Sequence, residues 1–303
     1  MFKDRIKDLH FLQSHSLFPN MLSYVCHQQI FRHEQGLLTM AFIDPPLPNS
    51  PNGPEGQAAA DWAHFLKAFF GTDPLPPSPL QAVFEPLRQS GTNSMLVLAQ
   101  IGQTLDGRIA TVTGQSKYVN GPDGLIHLHR LRALVDAVVV GVETAITDDP
   151  LLTVRLVQGQ NPTRVVIDPK GRLATNAQVW NKDGVRKIWV TSDDRIVSPP
   201  PEVENITLPL KENRIDPKNL LQRLQMTGIS RVLVEGGAKT VSKFLEAKCV
   251  DHLHLIVSPI VMGSGRPSFE LPPITHMDQA TRLNTSTHVL GMDVLFDCNL
   301  RKN

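Results

Sequence analysis

With 303 residues the chain is long enough for one large domain or two ordinary ones. Its 41% hydrophobic and 19% charged residues fit a globular protein with a substantial core and exclude a disordered or fibrous one. The formal net charge of +1 leaves no global field to favour nucleic acid or an anionic membrane, so an anionic ligand has to be held by a local basic cluster.

The chain begins MFKDRIKDLHFLQSHS, with scattered charges and no apolar stretch of the kind a signal peptide needs. No apolar run approaches the roughly 18 residues of a membrane helix, so the cytoplasm is the expected location. Cys26, Cys249 and Cys298 are far apart and form no CxxC pair, which reads as reduced, packed thiols and not as a disulfide framework or zinc site. Nine of the 36 residues from Pro45 to Leu80 are proline, a density that excludes continuous helix or central strand. The flanking pieces 4–31 and 57–70 are expected to be helical, with Trp62, Phe65, Leu66, Phe69 and Phe70 at helical spacing. Residues 1–90 thus read as a small accessory region, helical or irregular and rich in proline, preceding a main domain over 91–303.

From Met95 onward, short β-branched runs alternate with helical patterns. Strands are expected at 96–101, 137–141, 164–167, 187–191, 231–235 and 253–257, with a last antiparallel hairpin at 287–290 and 293–300. Helices are expected at 123–134, around 220–225 and at 239–247. Continuous apolar runs such as AVVV and RVVI suit strands buried on both faces, so the fold class is α/β with a mainly parallel central sheet flanked by helices.

In such sheets ligands bind beyond the carboxyl ends of the strands. The segments there are GQTLDGRIAT, VETAITDDPLLTVR, DPKGR, SDD and GGAKT. In the last of these, Glu235, Gly236, Gly237 and Ala238 join a strand to a helix. Two glycines let a pyrophosphate reach backbone N–H groups at a helix N-terminus, although a plain strand-to-helix turn has the same composition. No GxGxxG follows a strand and no GxxxxGK[ST] occurs, which argues against a Rossmann dinucleotide site and a P-loop. Helical spacing puts Arg132 between Leu125 and Leu128 on an apolar stripe. A buried arginine needs an anion: a ligand phosphate shared with Ser116 and Arg155, or a structural carboxylate such as Asp136 or Asp148. His127/His129 diverge on a helix, and His252/His254 share a strand face without an evident third ligand. Packing or surface roles are therefore expected, and no metal.

Taken together, LDGRIAT, GQSKYVNG, LHRLRALVDAVVVGVETAITDDPLLTVR, NPTRVVIDPKGRL, VLVEGGAKTVSKFL and SPIVMGSGRP resemble the riboflavin-pathway pyrimidine reductase family, in order over about residues 94–300. The resemblance implies a dihydrofolate-reductase-like fold, NADPH as cofactor and a phosphoribosylaminopyrimidine as substrate. It implies that Gly102, Tyr118, Thr144 and Asp148 touch NADPH, with Ser192 nearby and Gly236, Gly237 and Ala238 at the pyrophosphate. Residues 168–172 match the turn near the adenosine ribose, where Lys170 or Arg172 favours a 2′-phosphate. Ser116, Arg132, Leu152 and Arg155 match substrate positions, and Glu235 the carboxylate that contacts substrate; with Gln100 it is the expected catalytic residue, positioning the opened sugar or pyrimidine and assisting proton movement, with water as the alternative proton donor unless the Glu235 pKa is raised. Family members are often homodimers.

Two departures matter. Gln100 stands where bacterial members commonly have lysine. An amide both donates and accepts, so Gln100 is expected to contact the pyrimidine and to tune the preference for a 2-oxo or 2-amino ring. The H-x-E…P-C-x-x-C deaminase signature is absent, so no deamination is expected. The expected reaction is opening of the ribosylamine to an imine at C1′ and its reduction. Two other readings remain open: a reductase of a related phosphorylated pyrimidine or pteridine-like ring, and a non-catalytic nucleotide-binding module.

Overall fold

The computed structural model describes residues 29–32, 38–41, 54–89 and 95–301. The chain forms two compact units, Met1–Gly56 and Gln57–Asn303. In the first, β1 (Gln29–Arg32) pairs antiparallel with β2 (Leu38–Ala41). Residues 29–31 are thus strand where helix was expected; the rest of that expected helix, and the proline stretch 45–53, lie outside the described residues.

The boundary falls in the first turn of α1 (Pro54–Phe70), and the second unit continues with α2 (Pro79–Gln89). Each helix starts on a proline, a position where the missing N–H costs nothing. There follow β3 (Leu96–Thr104), β4 (Arg108–Thr111), α3 (Pro122–Leu134), β5 (Ala137–Gly141), α4 (Val142–Asp148), β6 (Thr163–Ile167) and β7 (Lys187–Ser192). The chain continues with β8 (Val203–Leu208), β9 (Leu210–Lys211), β10 (Arg214–Ile215), α5 (Pro217–Gln225), β11 (Arg231–Val234) and α6 (Ala238–Glu246). It ends with β12 (His252–Ser258), β13 (Gly265–Pro267), β14 (Asn284–Leu290) and β15 (Asp293–Asn299).

Nine strands form one sheet in the order β14-β15-β12-β3-β11-β5-β6-β7-β8. The seven from β12 to β8 are parallel, and β15 and β14 add an antiparallel hairpin at one edge. This is the expected mainly parallel sheet with its C-terminal hairpin. The strand period of two divides the core cleanly. Leu96, Leu98, Val138, Val140, Val166 and Leu233 face α1, α2 and α3. Val97, Ala99, Val139, Val165, Val232 and Val234 face α5 and α6.

Trp62, Phe65, Phe84 and Leu87 of α1 and α2 are buried in the same core cluster as Leu96, Leu131 and Leu233. The division expected at residue 90 therefore does not coincide with the compact unit, which begins at Gln57.

Candidate active site

The carboxyl ends of the parallel strands carry the expected loops. Beyond β3, the Asp106 carboxylate accepts hydrogen bonds from the Thr104 hydroxyl (2.5 Å), Met262 N (3.1 Å) and Gly263 N (2.6 Å). The Thr104 hydroxyl, then the backbone donors, hold Asp106 down to about 2, so the DG turn is pinned by a permanent anion. Gly102 lies beneath Asn120, whose Oδ1 would fall 1.6 Å from an added Cβ, so a larger residue there would have to displace the Asn120 side chain.

Beyond β11, Gly236 has φ +108 and passes close to Thr144 of α4; an added Cβ would sit 2.8 Å from its hydroxyl. Gly237 caps α6, and its N–H donates to Thr144 Oγ1 at 3.0 Å. Thr144, Gly236, Gly237 and Ala238 are thus brought together as expected. Asp148 stands at the end of α4. Burial pushes its carboxyl up, opposed by Arg266 and Lys117, which puts the segment bearing Ser116 and Tyr118 in the same neighbourhood.

Beyond β6, the buried Asp168 accepts from Leu173 N (2.8 Å) and Trp189 Nε1 (3.1 Å) through one oxygen, while the other has no partner among the described residues. Arg172 pairs with Glu143 at 2.6 Å on the surface. Lys170 is exposed and makes no ion pair among the described residues. At the end of β7, Ser192 is buried and its hydroxyl bonds to Asp194.

Arg132 is buried, as its place on α3 predicts, but Leu125, its expected neighbour on the stripe, is 38% exposed. Its partner is neither Asp136, which pairs with Arg231, nor Asp148. Arg132 Nε and Nη2 donate to the two oxygens of Glu235 at 2.8 and 2.7 Å, and Nη1 donates to Thr153 O at 3.0 Å. Arg132 is thus charge-compensated inside the protein by a carboxylate other than the two expected, and both oxygens of Glu235 are engaged. One guanidinium, with its planar fork, ties the glycine loop after β11 to the loop after α4.

That second loop is unusual in its backbone. Asp149 (φ 40) and Leu152 (φ 54) are both left-handed, a conformation that costs energy in a residue with a branched side chain. Leu152 is fully buried, and Arg155 at the loop's end is exposed. The loop is held from outside. Val154 N donates to Asn161 Oδ1 (2.7 Å), Arg164 Nη1 to Leu151 O (3.3 Å), and Arg155 N to His129 Nδ1 (2.9 Å).

A buried polar row crosses the sheet beneath α3. The pairing of β3 sets Gln100 opposite His254, and His254 opposite Asp297; one residue past the β11–β3 register, Glu235 comes beside Gln100. The side chain of Gln100 is buried and makes no hydrogen bond among the described residues. His254 Nδ1 and His127 Nε2 are 3.0 Å apart, and Asp297 Oδ1 lies 3.4 Å from His252 Nδ1 and 3.5 Å from His254 Nε2. The two histidine pairs therefore pack as expected, though inside the protein and not on its surface. Among the described residues no group of three or more His, Cys, Asp or Glu is placed to hold a metal.

These histidines make the fold acid-sensitive. Burial is the main cause holding His127 well below its ordinary value, His129 down to about 3, and His254 low. Each is neutral when folded but titrates near 6.5 when unfolded, so the unfolded state binds more protons below that pH. Stability is then complete above about pH 6.5 and falls by about 1.4 kcal/mol per pH unit for each such histidine as pH drops toward its folded value. Urea denaturation at pH 7.5, 6 and 5 should show this slope, and a flat profile would rule it out.

The RibD C-terminal domain family matches residues 87–295. The chain is 32% identical over 216 residues to 2,5-diamino-6-ribosylamino-4(3H)-pyrimidinone 5′-phosphate reductase from Methanothermobacter thermautotrophicus, covering 68% of this chain and 98% of that protein. It is 34% identical over 164 residues to riboflavin biosynthesis protein RibD from Aquifex aeolicus, covering 54% of this chain and 46% of that one. The crystal structure of the deaminase/5-amino-6-(5-phosphoribosylamino)uracil reductase from Thermotoga maritima superposes with a TM-score of 0.60 at 27% identity, over 73% of this chain and 58% of that one. The chain thus spans about half the length of the longer RibD proteins. The match covers the sheet and the loops that line its carboxyl edge, and the chain belongs to the RibD C-terminal domain family.

Proposed function

We propose that this chain is an NADPH-dependent reductase that converts the ribosyl group of a 5-phosphoribosylaminopyrimidine to the ribitylamino form, in the cytoplasm. The observation that carries this reading is the Arg132 bridge. Through Glu235 and Thr153 O it sets the glycine loop, which fits a pyrophosphate, beside the loop that presents Arg155 to a phosphate. The residues present fit the dinucleotide. Gly236 in its left-handed conformation and Gly237 at the start of α6 leave room for a diphosphate, and Lys170, which makes no ion pair among the described residues, suits a 2′-phosphate. Thr144 and Ser192 lie along the same edge. When bound, the cofactor supplies the hydride that reduces C1′.

The protein's part is orientation. Arg155 and Ser116 hold the sugar phosphate, and Arg132 contributes through the guanidinium N–H groups that Glu235 and Thr153 leave over. Leu152 fixes the floor of the loop. Gln100, buried with an unpartnered amide, contacts the pyrimidine and reads its C2 substituent. The proton taken by the ring oxygen as the sugar opens comes from water, because Arg132 occupies Glu235.

Turnover is tested by NADPH oxidation with the 2-oxo and the 2-amino pyrimidine. We expect one to be reduced, and Gln100→Lys to change the preference between them by about tenfold, the worth of one hydrogen bond to a charged group. Cofactor binding without turnover of either would move the reading to a binding module. We also propose a homodimer through the C-terminal segment, where Val261, Met277, Val289 and Met292 are each at least 73% exposed. Sedimentation at micromolar concentration should give twice the chain mass; a monomer there would sink the proposal.

A further inference from the structure

His129 is 4% exposed on α3, between the two residues of that helix already placed, His127 and Arg132. It points away from His127, into the loop after α4. Its Nδ1 accepts the backbone N–H of Arg155 at 2.9 Å and lies 3.5 Å from the N–H of Leu156. Removing the imidazole would take that acceptor away from the part-buried Arg155 N–H.

The same stretch is held at its other positions by Arg132 on Thr153 O and by Asn161 on Val154 N. The Arg155 side chain then folds back, with Nη1 donating to Thr153 Oγ1 at 2.9 Å. Each handhold fixes one backbone group. His129 fixes the backbone of the residue that carries the exposed guanidinium.

We propose that His129 is a positioning residue, whose Nδ1 fixes the backbone of residues 153–156 and thereby aims the Arg155 guanidinium at the substrate phosphate. The inference rests on the phosphate reading of Arg155 given above. An accepting Nδ1 requires the tautomer with its proton on Nε2. Burial first, then the charges of Arg132 and Arg155, keep the ring neutral, as the role demands: a protonated ring would turn an N–H against the Arg155 N–H.

The test contrasts His129→Asn with His129→Gln. Both are polar amides, but asparagine sets its oxygen near the place of Nδ1 and glutamine near that of Nε2, so the pair reads acceptor position and not folding. Two quantities are measured: kcat and KM for the phosphorylated pyrimidine against its dephosphorylated nucleoside, and the binding of inorganic phosphate by calorimetry. For the glutamine variant we expect KM for the phosphorylated substrate and Kd for phosphate to rise about tenfold, the typical cost of one unmade hydrogen bond, with kcat and the nucleoside little changed. The asparagine variant should recover most of this. Equal behaviour of the two variants, or an equal loss on both substrates, would overturn the inference while wild-type turnover leaves the reductase reading intact. A wild-type protein that turns over neither substrate and binds no phosphate would overturn both.

Discussion

Glu235→Ala is expected to lower stability by about 3–5 kcal/mol, because it strands a buried arginine without its counter-ion. Arg132 and Glu235 are 7% and 5% exposed, so water cannot replace the lost partner. Arg132→Met should cost a similar amount, leaving a buried carboxylate instead. The double variant Arg132→Met/Glu235→Leu removes both charges together and should regain most of the stability, since two apolar side chains of similar volume need no compensation. It should not regain turnover, because the bridge from the glycine loop to Thr153 O is gone in all three. Urea denaturation and NADPH oxidation on the same four proteins separate the two effects. If the single variants lost less than about 1 kcal/mol, the pair would behave as a solvated surface bridge and the buried geometry would be wrong.

The burial of Arg132 was legible in the sequence, but its partner was not. Helical spacing along α3 is a local property, whereas Glu235 is 103 residues away and reaches Arg132 only through the sheet order β3-β11-β5. For the same reason the β-branched runs 137–141 and 164–167 were readable as buried strands, while β8 was not: in VENITL only Val203, Ile206 and Leu208 are buried, and Glu204 and Asn205 belong to an exposed edge. The short helix α4 is hard to read because VETAITD is β-branched at four of its seven positions, which suits strand as well as helix. The helix α2 was hidden by Pro79 and Pro86, which argue against helix by composition; one sits at the first position and the other is tolerated within it. The glycine loop is legible in its own residues, as a glycine pair joining a strand to a helix, whereas Gly102 and Thr144 stand out only through the family resemblance. The local pattern around His129 reads as packing, since nothing in it shows that a distant backbone N–H needs an acceptor.

The second large effect concerns α1 and α2, which lie almost wholly before the family match at residues 87–295. A chain of residues 91–303 should fail to fold cooperatively, whereas 54–303 should fold. The two helices bury Trp62, Phe65, Phe84 and Leu87 at 2% exposure or less, against β3, β11 and α3. Each such side chain is worth about 1.5–3 kcal/mol, so the four together match the whole 5–15 kcal/mol by which domains are usually stable. Deletion would also uncover the polar row, because Phe84 stacks on His127 at 5.4 Å and shields the His127–His254 contact from water. Trp62 Nε1 bonds Gln158 O at 2.8 Å, so the loss reaches the chain that follows Arg155. Circular dichroism during urea unfolding of both fragments decides the matter. A 91–303 fragment that unfolds cooperatively within about 2 kcal/mol of the longer one would mean that the sheet face closes without the helices, and that they are the dispensable addition their proline-rich sequence suggests.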